Sequence, residues 1–281
     1  MKNRLTVCAS HLITLPSAPF GPVREAIGAA RDAVTAFDPE LVVFFGTDHR
    51  RAFRSVVPTF AVVLEATAQG DVAGPAGSYD VPSALGRALV ADLVAHEFDI
   101  ATAYSAALDH AFGHTARDLL GSVDAKPVLP VFVNCASPPH ATFRRAAALG
   151  RRVGEFFADR RVLYVGSGGL AHDLPGFREP ETGVVLTEDE RQQWIKDVNE
   201  RARREGTVRE LVREWDEEFL AGIGGTSWDW LDSIGADLVD RAGNGAAECL
   251  TWTAAWAAGG RPLTTLAHEF DAGGRAVVLS R

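Results

Sequence analysis

The sequence predicts an α/β fold with a central, mostly parallel or mixed sheet flanked by helices and a helical C-terminal part. Continuous apolar runs such as residues 41–45 and 162–165 are typical of strands that are covered on both faces. These runs alternate with helical stripes as far as about residue 165, and helical patterns dominate afterwards. No repeat, linker or low-complexity tract interrupts the chain, so we expect one domain over residues 1–281.

The elements can be placed in chain order from these patterns. Strands are predicted at residues 5–9, 41–45, 56–64, 127–133, 161–165 and 276–279. Helices are predicted at 22–37, from 83 with Ser83 as the cap, at 142–157, from the capping box at 187–190, along the stripe 208–219, and at 246–258. Pro58 indicates an edge or a bulge in the third strand. The Gly- and Pro-rich residues 65–82 are predicted to form a loop.

Composition excludes several classes of function. The chain carries 28 Lys and Arg against 37 Asp and Glu, a net charge of -9, which argues against nucleic acid and against an anionic membrane surface. No apolar stretch is long enough for a membrane span, and no signal peptide is recognisable. Cys8, Cys135 and Cys249 form no CxxC pair, so we expect a reduced, cytoplasmic protein.

Three predicted strands end in a polar cluster that contains a histidine. His11 follows the first strand, His49 the second, and His172 follows the strand that ends near residue 165. A fourth histidine, His110, lies in a predicted loop. Ligands of open α/β sheets bind beyond the carboxyl ends of strands, so a shared metal or substrate site would explain several of these histidines at once. The remaining four are expected to be structural or at the surface: His96, His114, His140 and His268.

The donor types point to a catalytic metal rather than a structural zinc ion. The cysteines are wrongly spaced for a closed zinc site, and no HExxH motif is present. Two histidines and one carboxylate with open positions are typical of non-haem Fe(II) oxygenases. Spacing alone does not select the carboxylate. Glu248 is a candidate because it lies among apolar residues of an Ala-rich helix, although a Glu near a helix N-terminus can equally face water.

Two competing motifs are weak. Residues 166–171 match G-x-G-x-x-A, but that fingerprint must open a helix, and Pro175 follows too soon. Ser167 is not part of a G-x-S-x-G nucleophile elbow. A dinucleotide site and a serine hydrolase are therefore both disfavoured.

Several stretches together resemble the class III (LigB-type) extradiol ring-cleaving dioxygenases. They occur in family order along nearly the whole chain, at residues 9–11, 39–43, 48–49, 109–112, 127–134, 166–172, 215–216 and 251–255. The most specific are Asp-His-Ala-Phe at 109–112 and Gly-Ser-Gly-Gly-Leu-Ala-His at 166–172. The segment 175–191 looks shorter than in members that act on a phenylpropionate, and loops near a site shape the substrate pocket.

The resemblance implies both a reaction and a set of residues. It implies that His11, His49 and Glu248 ligate Fe(II), and that His110 and His172 are the acid–base pair, in an order left open. The expected partners are a substituted catechol, phenylpropionate-like or otherwise, and O2, in aromatic catabolism, with the protein as a homo-oligomer. The alternatives are an aminophenol substrate, or a metal-binding homologue without oxygenase activity. Candidate substrate selectors are Phe20, Arg50, Arg51, Phe53, Tyr79 and the loop after His172.

Overall fold

The computed structural model describes residues 3–11, 21–177, 186–207, 210–271 and 273–280. Its strands are β1 Arg4–Ala9, β2 Leu41–Gly46, β3 Phe60–Val63, β4 Ala66–Gln69, β5 Ala76–Ser78, β6 Ala101–Ala103, β7 Ala106–Leu108, β8 Val128–Val133, β9 Val162–Ser167, β10 Leu263–Phe270 and β11 Gly274–Ser280. Its helices are α1 Gly21–Phe37, α2 Ser83–Ala95, α3 His110–Leu120, α4 Phe143–Phe156, α5 Glu188–Glu205, α6 Arg213–Ile223, α7 Trp230–Gly235, α8 Leu238–Ala242 and α9 Cys249–Gly259. Short 3-10 turns cover Pro175–Phe177 and Asn244–Glu248.

An eight-stranded mixed sheet forms the centre, in the order β10-β11-β1-β9-β2-β8-β3-β6. The strands β1, β9, β2 and β8 run parallel, whereas β11 is antiparallel to β1 and β3 is antiparallel to β8. A second sheet of three short strands has the order β5-β4-β7. The predicted α/β class with a mixed central sheet and a helical C-terminal part is therefore confirmed.

Helices cover both faces of the large sheet, as the continuous apolar strands predict. In β2, Val43 and Phe45 pack into the core layer that contains α4 and α9, while Val42 and Phe44 pack into the layer that contains α1 and α3. Successive side chains of a strand point to opposite faces, so a strand with helices on both sides must be apolar at every position. Four tryptophans pack in or against the first layer: Trp228, Trp230, Trp252 and Trp256.

Helices α4 and α9 are in backbone contact. A Cβ added at Gly150 would lie 2.0 Å from the carbonyl oxygen of Ala254, and one at Gly154 would lie 2.3 Å from that of Ala258. Two glycines one turn apart therefore let the two helix backbones approach each other. This contact holds α9 against α4, and the first residue of α9 directly follows Glu248.

Some element boundaries differ from the predictions. The third strand begins only at Phe60, because Pro58 cannot donate a hydrogen bond to a neighbouring strand. The predicted loop at 65–82 contains β4 and β5, which are short and partly exposed. Ser83 does not cap α2; Pro82 holds that position, and the Ser83 hydroxyl donates to the carbonyl of Leu64.

Other boundaries are confirmed or extended. Thr142 caps α4 by accepting from the backbone N–H of Arg145 at 3.1 Å, and the capping box that starts at Thr187 forms. The predicted helix at 246–258 is a 3-10 turn followed by α9. Val208 of the predicted stripe lies outside the described residues, and α6 starts at Arg213. Among the described residues, no helix is both long and apolar enough to cross a membrane.

Candidate metal centre

Five side chains from separate segments meet at one edge of the large sheet. His11, His49 and His172 follow β1, β2 and β9, which are neighbouring parallel strands, so their carboxyl ends lie side by side. His110 and Glu248 are brought to the same edge by the first residue of α3 and by the last residue of the 3-10 turn before α9. All five residues singled out from the sequence therefore converge. The prediction of a loop at His110 is wrong, because a helix begins there.

Three of the histidines form a tight group. Ligand atoms of His11, His49 and His110 all lie within 4.8 Å of one another, as a shared metal ion would require. The rings of His49 and His110 stack with centroids 4.5 Å apart. The ring of His11 meets both edge-on, at 5.6 Å from His49 and 5.3 Å from His110.

The Glu248 carboxylate lies beside this group rather than in solvent. Its Oε1 is 3.0 Å from His49 Nε2, and its Oε2 is 3.9 Å from both His11 Nε2 and His172 Nε2. Glu248 is only 3% exposed, so the solvent-facing alternative is wrong. The backbone N–H of Gly169 donates to Oε2, and a Cβ at Gly168 would lie 2.6 Å from Glu248 Cβ. The two glycines therefore give the carboxylate room to approach the strand end.

Three neighbouring acceptors fix the histidine rings. His49 Nδ1 lies 2.8 Å from Asp109 Oδ2, and His110 Nδ1 lies 2.8 Å from Asp71 Oδ2. A carboxylate accepts only, so each ring carries its hydrogen on Nδ1, and in His110 this leaves a lone pair on Nε2. His49 Nε2 lies 3.0 Å from Glu248 Oε1, so it carries a hydrogen as well unless a metal ion takes that place. His172 Nδ1 likewise donates to the carbonyl of Leu170 at 2.7 Å. Ring orientation set by a second layer of acceptors is typical of metal sites.

Asp71 and Asp109 are functional candidates that the sequence interpretation missed. Asp109 has a detectable signal, since it directly precedes His110 and caps α3 by accepting from the backbone N–H of Ala111 at 3.0 Å. Asp71 carries no such signal, because it lies in the Gly- and Pro-rich stretch that was interpreted as a loop. Its Oδ2 is also 3.2 Å from Arg51 Nε.

The electrostatics favour ionised carboxylates beside a neutral His11 and a His49 that is protonated unless a metal ion takes the place of its proton. Burial lowers the pKa of His11 to about 3, so this ring is neutral at neutral pH. Burial alone would raise the pKa of Glu248, but the neighbouring histidines hold it well below the usual range. Burial also opposes a charge on His49, yet the carboxylates of Asp109 and Glu248 raise its pKa well above the ordinary value. A positive charge at this centre would thus lie close to two buried carboxylates, those of Asp109 and Glu248.

A divalent metal ion fits this set of donors. His11 Nδ1 is buried and has no hydrogen-bond partner among the described residues. Neutral imidazole nitrogens next to an anionic carboxylate are a ligand set that suits a first-row metal with open positions. The three histidines and Glu248 therefore provide more donors than a facial triad needs.

A cavity of about 300 Å³ opens from the metal centre. His49 and Glu248 form its inner end, and Ala136, Leu174 and Phe177 are among the apolar side chains beyond them. Most pockets that bind small molecules are lined in this way, with a few polar groups to orient the ligand.

Among the described candidate selectors, the loop after His172 contributes Leu174 and Phe177 to this lining, whereas the individual side chains do not take part in it. Arg51 faces Asp71, Arg50 donates to the carbonyl of Arg54 at 3.2 Å, and Phe53 packs on Phe132 with ring centroids 4.4 Å apart. Tyr79 is buried in the core. Phe20 lies outside the described residues, as do residues 178–185 of the segment after His172.

Comparison with known families shows which family the chain belongs to. Residues 11–274 match the model of the catalytic LigB subunit of aromatic ring-opening dioxygenases. The chain belongs to the LigB family. It is therefore an extradiol ring-cleaving dioxygenase, an oxidoreductase that uses a catechol and O2. Members of the family depend on a metal, and the histidine cluster is a possible site for it.

Similarity to relatives that are named for a dioxygenase activity covers most of this LigB-family chain. A protein of Mycolicibacterium gilvum named 2,3-dihydroxyphenylpropionate/2,3-dihydroxicinnamic acid 1,2-dioxygenase is 36% identical, over 92% of this chain and 89% of its own. A Cupriavidus necator protein of the same name is 37% identical, over 84% of this chain and 81% of its own. The crystal structure of an uncharacterized Escherichia coli K12 protein matches 99% of both chains, with a TM-score of 0.61 and 14% identity, which shows a shared fold.

Proposed function

We propose that this LigB-family chain is a non-haem Fe(II)-dependent extradiol dioxygenase that opens the ring of a substituted catechol and incorporates both oxygen atoms of O2. The observation that carries the proposal is the convergence of His11, His49, His110, His172 and Glu248 at one sheet edge, with an apolar cavity beside them. We propose that residues 1–281 form one catalytic domain, since the family match covers residues 11–274 and so includes all five of these side chains. Homo-oligomerisation belongs to the same proposal.

His11, His49 and Glu248 would hold the metal. They supply two neutral imidazoles and one carboxylate, the combination typical of non-haem Fe(II) oxygenases. When bound, Fe(II) would supply Lewis acidity toward the catechol hydroxyls and open positions for catechol and O2. Asp109 would keep His49 oriented, because it accepts from both the ring Nδ1 and the backbone N–H of His49 at 2.8 Å.

His110 and His172 would move protons at their Nε2 atoms. Each donates from Nδ1 to a fixed acceptor, so Nε2 carries the lone pair that can accept a proton from a catechol hydroxyl. Asp71 stabilises the positive charge that His110 gains, which suits His110 to accept the first proton. His172 would act as the general acid of the pair and supply a proton from its Nε2 atom. The reverse assignment uses the same geometry.

The relatives suggest the kind of substrate. They are named for 2,3-dihydroxyphenylpropionate and 2,3-dihydroxicinnamic acid, which are catechols with a three-carbon side chain. A cavity of about 300 Å³ is at the lower end of the usual range for small-molecule sites, which suits a single substituted ring. We therefore propose a catechol with a short substituent beside its hydroxyl groups.

The decisive experiment is anaerobic reconstitution with Fe(II), followed by substituted catechols and O2. We expect oxygen consumption together with a new yellow ring-opened product. His49→Ala should abolish both, whereas His96→Ala, at an exposed position in another part of the fold, should change neither. If the protein retains iron but consumes no O2 with any catechol, the result would favour a metal-binding homologue. Activity only with aminophenols would change the substrate class. Activity with Zn(II) and none with Fe(II) would contradict the choice of metal.

A further inference from the structure

The segment after β8 forms a wall of the substrate cavity. It is fixed by the side chain of Asn134. The Nδ2 of Asn134 donates to the carbonyl of Ser137 at 2.6 Å, and the Oδ1 of Asn134 accepts from the backbone N–H of Ser137 at 3.1 Å. Pro138 and His140 follow, and both line the cavity that begins at His49. His140 therefore stands on a fixed segment at a defined place in the wall.

His140 also lines a second cavity of about 570 Å³ that adjoins the first. His140 and Val239 belong to both linings, so these two side chains stand where the cavities meet. The inner cavity has the metal centre at its other end. A catechol bound at the centre would thus direct a ring substituent toward His140.

The imidazole of His140 has unused hydrogen-bonding capacity. Its Nε2 is buried and has no partner among the described residues. Burial lowers the pKa of His140, so the ring is neutral at neutral pH. A buried nitrogen without a partner costs free energy, and a ligand that supplied the missing hydrogen bond would recover it.

The side chains that line the two cavities disfavour an anionic substituent, even though one lining carboxylate, Asp232, is paired with Arg144. Among the described residues, neither lining contains Lys or Arg. Three aspartates line the second cavity instead: Asp232, Asp237 and Asp240. Burying a carboxylate without a cation is costly, whereas a neutral amide or hydroxyl needs only one hydrogen-bond partner.

We propose that His140 is a specificity-determining residue that hydrogen-bonds an uncharged polar group on the ring substituent of the catechol. This inference rests on the proposed function and refines its substrate class. It separates this chain from relatives whose names specify an acid side chain. The preferred substrate would be a catechol with a neutral, oxygen-bearing substituent whose chain has about three carbon atoms.

The test compares three catechols with side chains of equal length at position 3: propyl, propionamide and propionate. We expect the wild-type protein to favour the propionamide over both others. His140→Leu should lower the ratio of kcat/KM for the amide over the propyl compound by about five- to tenfold, the size of one neutral hydrogen bond. The change should lie in KM, and His140→Gln should restore most of it. His96→Leu, a matched exchange at an exposed site, should leave the ratio unchanged.

Binding measured without turnover gives an independent readout. Under anaerobic conditions, calorimetric Kd values of the iron-loaded variants should show the same loss for the amide. An equal loss for the propyl compound would make His140 a packing residue and overturn the inference. A wild-type preference for the propionate, with the largest loss in His140→Leu for that compound, would also overturn it. Failure of the wild-type protein to cleave any of the three would instead contradict the proposed function, and this inference with it.

Discussion

The hydrogen bond between Asp71 and His110 is the residue-scale feature with the clearest kinetic consequence. Asp71 orients the His110 ring and stabilises the charge that it acquires, without lying within reach of Glu248 in any described contact. We expect Asp71→Asn to lower kcat by at least about tenfold, but by less than the 10²–10⁴-fold of a lost general base. KM and iron content should stay near wild type. Asp80→Asn, an exposed exchange in the same stretch, is the control; a fall in iron content equal to the fall in kcat would count against a positioning role.

Metal retention separates the proposed ligands from the acid–base pair. Glu248→Ala removes the buried carboxylate that faces three histidines, so we expect the purified protein to lose its iron. His110→Ala and His172→Ala should keep iron and lose rate by about 10²–10⁴-fold. Iron analysis beside single-turnover rates measures both. An active, iron-replete Glu248→Ala protein would refute the proposed ligand set.

Gly245 controls the position of His172. A Cβ at this residue would lie 2.2 Å from His172 Nε2, so Gly245→Ala must displace the ring. We expect a loss of kcat comparable to that of His172→Ala, with little change in the unfolding transition. Circular dichroism melting beside the rate assay tests this, and wild-type kcat in Gly245→Ala would show that the His172 ring has no fixed role.

At the scale of elements, α4 and α9 depend on the absence of side chains between them. Gly150→Ala would force a methyl group against the Ala254 backbone, so we expect a loss of about 1–3 kcal/mol in unfolding free energy through overpacking. Gly28→Ala is the matched control, because it lies in α1 with nothing within 4 Å of a new Cβ. It should stabilise by about 0.5–1 kcal/mol. Urea titration gives both values, and equal effects would exclude a close helix contact.

The ion pair between α2 and α4 predicts a pH dependence. The hydrogen bond from Arg152 lowers the pKa of Asp92 below its usual value, so the pair contributes stability above the unfolded pKa of about 3.9. That contribution is lost as pH falls through the lower folded pKa. The pair is partly exposed, so Asp92→Asn should cost at most about 1 kcal/mol near neutral pH. Unfolding curves from neutral pH down to about pH 3 should show the difference shrink once the pH falls below the unfolded pKa; a constant difference would assign it to packing.

The elements also show why the sequence predicts some features and not others. Strands β2 and β9 are recognisable because burial on both faces demands continuous apolar residues. Strands β4 to β7 have three or four residues each and are partly exposed, so they carry no such pattern. Histidines at strand ends could be found in the same way. The partner Asp71 could not, because a tertiary contact between distant segments creates its role, whereas Asp109 is marked by its place directly before His110.

At the scale of the whole molecule, the proposed ligands tie together segments that lie far apart in the chain. His11 and His49 follow the parallel strands β1 and β2, and Glu248 lies far along the chain, directly before α9. A metal that binds only the folded state stabilises it by about 2.7 kcal/mol at a concentration of 100 Kd. We expect Fe(II) or Mn(II) to raise Tm by several degrees and a chelator to reverse the change. His49→Ala should show no such shift, and a shift that survives in this variant would place the metal elsewhere.

The pairing of β11 with β1 has a consequence for biosynthesis. β1 precedes His11 and lies between β9 and β11, so its two neighbours in the sheet are the strands at 162–167 and 274–280. β1 is thus made before both of its neighbours, and many residues separate it from each of them in the chain. A nascent chain that still lacks those segments exposes both edges of β1 to other polypeptides, so the catalytic edge is complete only after residues 274–280 have been made.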